Sequence, residues 1–282
     1  MKQHLIDKYT EIEHLLRCPK CGSDCYVKAG SILCTEGHCY DISANGYVNY
    51  LFAKKDDFYD KQLFENRNKV FGMGFFESVL NEIAQYVNVV FYTQKRLALL
   101  DAGCGEGYYS REIYKSYDKE TSVDLFALDI SKLAVKKAAS RADNIKWLVA
   151  DVGNIPLKDH SMDVLINVLT PANYAEFARV LKKDALLLKL IPGVEYLKEL
   201  KEYAPRKNTY TEERVLKHME EYAEITDKIT IRQTFKINAQ QAEAITKMTP
   251  LMKNADYSLI PYDKISEITI NMELIAARMK ER

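Results

Sequence analysis

Between residues 96 and 191 the chain alternates short apolar runs with segments whose apolar residues recur at helical spacing. The apolar runs predict buried strands at 97–100, 124–129, 145–150, 162–167 and 186–191. The periodic segments between them predict helices at 108–117, 132–141 and 172–181. Strands that alternate with helices in this way predict an α/β fold with a doubly wound sheet, whose ligands bind at the carboxyl ends of the strands.

The pattern changes on both sides of this alternating region. Apolar spacing predicts one helix within 1–17 and two within 61–90, the latter pair separated at 72–74. Beyond Gly193 the chain predicts helices at 195–203 and 239–248 and β-rich runs at 225–237 and 265–274. The charged, aperiodic stretch 53–60 is typical of a linker. We therefore expect a small N-terminal domain, a linker with a helical lead-in and a large α/β domain, at 1–55, 56–92 and 93–282.

Composition adds limits to this picture. The chain has 282 residues, 47% of them hydrophobic, and its formal net charge is zero, so it lacks the overall basic character typical of nucleic-acid binding. Its apolar runs, such as 185–191, are too short to span a bilayer, and the polar N-terminus lacks the apolar core of a signal peptide. We expect a cytoplasmic protein that does not bind membranes.

Five of the six cysteines lie between residues 18 and 39. In a reducing compartment such crowding indicates a metal site rather than disulfides. The spacing C-x2-C-x12-C-x3-H predicts a closed structural zinc site on a ribbon, with a hairpin turn at Ala29-Gly30 between the ligand pairs. The predicted ligands are Cys18, Cys21, Cys34 and His38, although Cys39 could replace His38. A fourth protein ligand leaves no open position for catalysis.

A glycine-rich stretch, 101–110, follows the first predicted strand and leads into a helix. Gly103, Gly105 and Gly107 form GxGxG, which departs from the dinucleotide pattern GxGxxG and lacks the Lys-Ser/Thr of a P-loop. A strand, a glycine turn and a helix together present backbone N–H groups to a ligand. Preceded by Asp101, this stretch resembles motif I of the S-adenosylmethionine-dependent methyltransferases.

Acidic residues end the first three predicted strands: Asp101, Asp129 and Asp151. In a methyltransferase Asp101 would organise the loop or contact the amino group of the cofactor through water, Asp129 would bind the ribose hydroxyls and Asp151 the adenine amino group. Any one of them could instead be a helix N-cap, as in 129–131. Asn167 ends the fourth strand, where the methyl acceptor usually meets the cofactor, and could equally cap a loop.

Taken with the zinc spacing, several motifs closely resemble the 23S ribosomal RNA guanine-N1 methyltransferases, the bacterial zinc-ribbon enzymes of the RlmA type that include the tylosin-resistance member. These motifs are Cys18-Pro-x-Cys, Cys34-x-x-x-His, Gly46-Tyr-Val-Asn49, Asp101-x-Gly-Cys-Gly-Glu-Gly-Tyr-Tyr109, Leu128-Asp-Ile-Ser131, Ala178-Arg-Val180 and Met248-Thr-Pro250. The resemblance implies a class I methyltransferase fold, a zinc domain that helps to grip an rRNA hairpin, and a homodimer. It also places Phe76 and Tyr196 near the cofactor, where the family has a tyrosine and a histidine.

The predicted cofactor-binding set combines these arguments and comprises Phe76, Asp101, Gly103, Cys104, Gly105, Glu106, Gly107, Asp129, Asp151, Asn167 and Tyr196. The expected reaction is transfer of a methyl group from S-adenosylmethionine to N1 of a guanine in a hairpin loop of 23S rRNA. The alternative is a methyltransferase that acts on a small molecule or another RNA, with a purely structural zinc ribbon. No histidine, glutamate or aspartate lies just beyond strand four, so no catalytic base is predicted.

The sequence leaves the RNA-binding surface open. Residues 1–60 carry seven lysines and arginines against nine aspartates and glutamates, so the zinc region is slightly acidic. A basic groove must come from elsewhere. The candidates are one patch of Lys132, Lys136, Lys137, Arg141 and Lys146, and another of Lys198, Lys201, Arg206 and Lys207. Either patch could equally be a solvated helix face.

Overall fold

The computed structural model describes residues 3–51, 61–92, 96–117, 122–141, 143–205 and 211–280. The predicted linker, 53–60, lies outside these ranges, as do Arg206 and Lys207 of the second basic patch. The strands are β1 (Cys25–Lys28), β2 (Ser31–Cys34), β3 (Cys39–Asp41), β4 (Tyr47–Asn49), β5 (Arg96–Ala102), β6 (Ser122–Asp129), β7 (Lys146–Val149), β8 (Met162–Val168), β9 (Leu181–Pro192), β10 (Ala223–Lys236) and β11 (Glu267–Met279). The α-helices are α1 (Gln3–Thr10), α2 (Lys61–Phe71), α3 (Glu77–Phe91), α4 (Tyr108–Lys115), α5 (Lys132–Ala138), α6 (Tyr174–Val180), α7 (Glu212–Glu220) and α8 (Ala239–Met248). Among the helices within these ranges, none combines the length and the apolar character that crossing a bilayer requires.

The eight-stranded main sheet has the order β10-β11-β9-β8-β5-β6-β7-β4. β5 pairs in parallel with β6 on one side and with β8 on the other, and β11 runs antiparallel to both β9 and β10. The strand order therefore reverses between β5 and β8, which places a ligand crevice at their carboxyl ends. The predicted doubly wound sheet is confirmed, with an antiparallel hairpin at one edge.

The hairpin of the zinc ribbon is confirmed as well. β1 and β2 pair antiparallel with Cys25 opposite Cys34, and β3 adds a third strand. Ala29 and Gly30 form the turn, both with positive φ, of 51° and 85°. The predicted position of the turn is therefore correct.

Three helical segments differ from the prediction. The expected N-terminal helix ends at Thr10 and is followed by a 3-10 turn at Glu13–Leu15. The stretch predicted at 195–203 is a 3-10 helix, Lys198–Tyr203, and Leu197 directly before it has a positive φ of 49°, which interrupts a continuous helix. Helix α7 was not predicted, because its sequence is rich in charged residues and only Met219 is buried along it. The apolar periodicity that indicates a helix is therefore weak there.

The two faces of the main sheet bury separate cores. One core contains apolar residues of α3, α4, α5 and α8, with Trp147 fully buried in it. The other contains apolar residues of α6, of the zinc ribbon and of the N-terminal segment, including Tyr9 and Ile32. Tyr9 donates from its hydroxyl to the carbonyls of Gly46 and Trp147, at 3.0 and 3.1 Å. Strand β4, which belongs to the region 1–55, pairs with β7 and so joins the main sheet. The predicted domain boundary at residue 55 stays a prediction.

Candidate functional site

The glycine loop lies at the carboxyl end of β5, in the crevice between β5 and β8. Gly103, Gly105 and Gly107 have φ values of 92°, 54° and 76°, a region that side chains rarely adopt. A Cβ on Gly103 would come within 2.3 Å of Thr170 Cγ2, and one on Gly107 within 2.3 Å of Trp147 Cη2. Glycine is therefore required at both positions for conformation and for space.

The N–H groups of this loop do not all point at a ligand, contrary to the simplest expectation. Gly103 and Cys104 both donate to the carbonyl of Leu128, at 2.8 and 2.9 Å. Gly105 donates to Asp129 Oδ2 at 2.9 Å. These bonds tie the loop to the end of β6. The main contribution of the loop is therefore steric: its glycines have no side chains, so a ligand can lie close to the backbone.

Asp101 is buried in the middle of this arrangement. Its Oδ2 accepts a hydrogen bond from the hydroxyl of Ser110 at 2.5 Å, while Oδ1 has no partner among the described residues. Burial, reinforced by the nearby charge of Asp129, raises the pKa of Asp101 to about 7. An unpartnered carboxylate oxygen in this position suits a cationic hydrogen-bond donor.

Asp129 ends β6, as predicted, and Asp151 lies two residues after the end of β7. Both oxygens of Asp129 accept backbone hydrogen bonds, from Ser131 at 2.8 Å and from Gly105 at 2.9 Å, and burial still raises its pKa. Asp151 is half-buried and accepts from the N–H of Gly153 at 2.9 Å. Each oxygen of Asp129 has a second lone pair that can accept from a donor on a ligand.

Glu106 and Arg67 form a pair over the loop. Both carboxylate oxygens of the buried Glu106 lack hydrogen-bond partners among the described residues, and the nearest cation is Arg67 Nε, 3.6 Å from Oε1. The guanidinium of Arg67 also lies 3.6 Å from the place a Gly105 Cβ would occupy, and its side chain is 27% exposed. Arg67 comes from α2, far away in sequence, and nothing in the local pattern singles it out.

The remaining members of the predicted set occupy the surroundings of the loop. Phe76 is 1% exposed and packs edge-on against Phe71 at 5.5 Å. Tyr196 shares a hydrogen bond with Thr249, and burial raises its pKa to about 12. Cys104 packs partly buried against the core.

Asn167 is fully buried and has no free polar atom facing the crevice. Its Nδ2 donates to the carbonyls of Ala102 and Pro171, at 2.8 and 3.4 Å, and its Oδ1 accepts from Lys189. Lys189 also donates to the carbonyl of Thr170 at 2.7 Å, and burial lowers its pKa to about 8. Asn167 and Lys189 thus hold the loop after β8 against β5. This geometry favours the loop-capping alternative for Asn167.

The zinc-ligand cluster is formed by the side chains of Cys18, Cys21, Cys34 and His38, whose donor atoms all lie within 4.8 Å of one another. Individual separations are 3.7 Å for Cys21 Sγ to Cys34 Sγ, and 3.5 and 3.3 Å from His38 Nδ1 to the sulfurs of Cys18 and Cys34. A tetrahedral zinc with Zn–S bonds of about 2.3 Å requires sulfur–sulfur edges of roughly 3.8 Å. The donor set and its spacing therefore fit zinc.

Groups around this cluster support the same assignment. Tyr40 lies with its hydroxyl 3.1 Å from Cys18 Sγ, and the backbone N–H of His38 donates to Cys34 Sγ at 3.2 Å. Such contacts stabilise thiolate ligands. The structure thus resolves the choice that the sequence left open, because His38 and not Cys39 belongs to the cluster.

The strand order, the antiparallel β11 and the glycine loop followed by acids at the next two strand ends define a class I methyltransferase. A family model for a methyltransferase domain matches residues 99–185. The chain is 32% identical to YxjB of Bacillus subtilis, a candidate 23S rRNA (guanine-N1)-methyltransferase, over 93% of this chain and 96% of that protein. It is 24% identical to the 23S rRNA (guanine(748)-N1)-methyltransferase of Streptomyces fradiae, over 83% of this chain and 84% of that one.

A third relative, a candidate 23S rRNA (guanine-N1)-methyltransferase of Micromonospora griseorubida, is 30% identical over 66% of this chain and 68% of that protein. The protein belongs to the family of 23S rRNA (guanine-N1)-methyltransferases. Its cofactor is accordingly S-adenosylmethionine, and the cluster of Cys18, Cys21, Cys34 and His38 fits a structural zinc ion.

Proposed function

We propose that this protein transfers the methyl group of S-adenosylmethionine to N1 of a guanine in a hairpin loop of 23S rRNA. The observation that carries the proposal is the likeness to YxjB, which extends over 93% of the chain and so includes both the zinc ribbon and the methyltransferase core. A likeness confined to the core would have supported only methyl transfer in general.

The proposed cofactor site is built on the acidic side chains at the carboxyl ends of β5, β6 and β7, of which Asp101 has an oxygen without a hydrogen-bond partner among the described residues. S-adenosylmethionine carries an α-ammonium group, a carboxylate, ribose hydroxyls and an adenine amino group. Asp101 Oδ1 would accept from the ammonium, Asp129 from the ribose and Asp151 from the adenine. Arg67 would bind the carboxylate of the cofactor. It adds a cation to the cofactor-binding residues predicted from the sequence, which include none.

Bound S-adenosylmethionine supplies a sulfonium methyl group that is already activated, so the protein mainly has to position the nucleophile in a dry site. Asn167 and Lys189 contribute by fixing the loop after β8 beside the glycine loop. Thr170, in that fixed loop, packs over Gly103 and limits the space on this side. The proton on guanine N1 must leave before or during attack, and we assign no base for it.

We further propose that the protein works in the cytoplasm, as a homodimer, on an rRNA hairpin. The rRNA named for its relatives supports the first and the last of these. The homodimer rests on the resemblance to the family alone.

A methyl-transfer assay tests the proposed function. The protein is incubated with tritiated S-adenosylmethionine and unmodified 23S rRNA, and the product is mapped by primer extension. A methyl group on N1 blocks base pairing, so reverse transcriptase stops at a modified guanine. We expect label in the RNA and one new stop at a guanine in a hairpin loop. Label without a stop would indicate a different acceptor atom and would contradict the proposal.

A further inference from the structure

A groove outside the cofactor crevice lies between α2 and α8. It has a volume of about 940 Å³ and continues along the segment 249–257 after α8. That volume is at the upper end of the roughly 300–1,000 Å³ typical of small-molecule pockets, and the groove is lined mostly by polar side chains rather than apolar ones. Nothing in the function described above uses it.

The chemistry of the groove suits a nucleic-acid strand. Among the described residues its charged lining consists of three lysines, Lys69, Lys247 and Lys253, and one glutamate, Glu243, which forms an ion pair with Lys247. Amide side chains make up much of the rest: Gln62, Asn66, Asn238, Gln240, Gln241 and Asn254. The side-chain oxygens of Asn238 and Gln241 cap the start of α8, which leaves the NH2 groups of these two residues for base edges. Lysines bind phosphates, and asparagine and glutamine suit the donor and acceptor atoms of bases.

An unpartnered donor lies on the α2 wall of the groove. Asn66 is only 5% exposed, and its Nδ2 has no hydrogen-bond partner among the described residues. A buried amide N–H without an acceptor costs free energy unless a ligand satisfies it. Guanine presents two acceptors, O6 and N7, which such a donor can bind.

An aromatic platform is provided by Tyr257 at the opposite wall. Its side chain is 37% exposed, and its hydroxyl donates to the carbonyl of Met252 at 3.3 Å, which restricts the ring. Lys247 Nζ lies 6.0 Å from the ring centroid. An exposed, oriented ring is suited to stack a base of single-stranded RNA. Lys247 is paired with Glu243, so the phosphates would be neutralised by Lys69 and Lys253.

The groove is connected to the cofactor crevice at two points. Asn66 precedes Arg67, which lies over the glycine loop. Thr249, which also lines the groove, hydrogen-bonds to Tyr196. The groove therefore adjoins the crevice in which the cofactor is proposed to bind.

We infer that the groove between α2 and α8 binds the substrate RNA strand next to the target guanine, with lysines on its phosphates and Tyr257 stacked on a base. The inference rests on the proposed function and adds to it the surface that receives the RNA. The lysines that line the groove, Lys69, Lys247 and Lys253, are not among those of the two basic patches that the sequence suggested.

The test compares groove variants with variants in those basic patches. The groove variant carries the two substitutions Lys69→Gln and Lys253→Gln. The matched control carries Lys136→Gln and Lys198→Gln, and all four lysines are exposed. Binding of a 23S rRNA hairpin is measured by fluorescence anisotropy at several salt concentrations. Each lost phosphate contact lowers the slope of log K against log salt by roughly 0.7–0.9 and weakens binding at 0.1 M salt by roughly 5- to 10-fold.

A second arm tests the stacking role. Tyr257→Leu should weaken RNA binding by roughly 5- to 100-fold, the range for loss of one base stack, whereas Tyr92→Leu, on an exposed tyrosine outside the groove, should not. Calorimetry with S-adenosylhomocysteine and a thermal melt establish that each variant is folded and keeps its cofactor site.

We expect both groove variants to lose RNA affinity while cofactor affinity stays unchanged. If the groove variants bind and methylate RNA like the wild type, or if only the Lys136 and Lys198 pair loses affinity, the inference is wrong although the proposed function stands. If the wild-type protein neither binds nor methylates 23S rRNA, the proposed function itself fails.

Discussion

The zinc-ligand cluster and the cofactor crevice both use side chains on or beside turns, but they differ in how complete they are. The cluster holds four donors within 4.8 Å of one another, all supplied by residues 18–38. The crevice is incomplete without its ligand, because Asp101 and Glu106 keep carboxylate oxygens with no hydrogen-bond partner among the described residues. The zinc-ligand cluster stabilises the fold once zinc is bound. The cofactor crevice instead has polar groups that only a ligand can satisfy.

Loss of a zinc ligand should have the largest effect. We expect Cys34→Ser to lower the free energy of unfolding by roughly 5 kcal/mol or more, and the Tm by about 10 °C or more, because structural zinc sites contribute directly to folding. The effect should reach the whole chain, since Cys34 shares a core with residues of the main sheet such as Leu128. Thermal melts with zinc analysis by atomic emission measure it.

The control for this prediction is Cys39→Ser. Cys39 is exposed and outside the cluster, so its replacement should change stability by less than about 0.5 kcal/mol and leave zinc content unchanged. Equal destabilisation by the two substitutions would contradict the assignment of His38 as the fourth ligand.

The role of Arg67 gives the next largest effect. If its guanidinium binds the carboxylate of the cofactor, Arg67→Gln should weaken S-adenosylhomocysteine binding by roughly 10- to 100-fold, the range for loss of a charge-assisted hydrogen bond. Binding of 5′-methylthioadenosine, which lacks the amino-acid part, should stay unchanged. Calorimetry with the two ligands measures the difference.

Arg67→Gln also leaves Glu106 without a cation, so the double variant with Glu106→Gln is the matched control. It removes both charges and should still discriminate against the carboxylate-bearing ligand. Equal losses for both ligands in the double variant would show that Arg67 supports the loop and does not contact the carboxylate.

The glycine loop allows a test that separates space from backbone conformation. Gly107→Ala and Gly37→Ala both place a side chain at positive φ, 76° and 82°, but only the Cβ at 107 meets a neighbour, the buried ring of Trp147. Overpacking of this kind costs about 1–3 kcal/mol, so we expect Gly107→Ala to lose about 10-fold in cofactor affinity. Gly37→Ala should bind the cofactor like the wild type, and a similar loss for both would contradict the steric explanation.

The pH dependence of cofactor binding should give the smallest effect. The pKa of Asp101 is raised to about 7 by burial, so its carboxyl group is largely protonated at pH 6 and ionised at pH 8. If the carboxylate pairs with the ammonium of the cofactor, affinity should rise with pH and be up to about 10-fold weaker at pH 6 than at its plateau. The same raised pKa means that stability of the free protein falls as pH rises from about 4 towards 7, because the folded state holds the proton more tightly.

Asp101→Asn removes this titration and should flatten the pH profile of cofactor affinity. Isothermal titration calorimetry between pH 6 and pH 8 measures both proteins. A profile that is equally steep in the variant would show that another group titrates.

The difference between the two regions also explains how far sequence reasoning reached. The zinc ligands, the hairpin turn and the strand ends at Asp101, Asp129 and Asp151 follow local spacing, and the structure places them where the sequence predicts. Arg67 and Lys189 were missed because their roles depend on tertiary packing: α2 folds over the glycine loop, and β9 lies beside β8. Asn167 sits at the predicted strand end, but whether its side chain faces outwards or inwards depends on Lys189, in the neighbouring strand.

The most direct test of the account is nucleoside analysis of methylated 23S rRNA by liquid chromatography and mass spectrometry. Unmodified rRNA is incubated with S-adenosylmethionine and either the wild-type protein or Gly107→Ala, then digested to nucleosides. The account predicts about one 1-methylguanosine per 23S rRNA molecule with the wild-type protein, and a slower approach to that level with the variant. A different methylated nucleoside, or none, would contradict it.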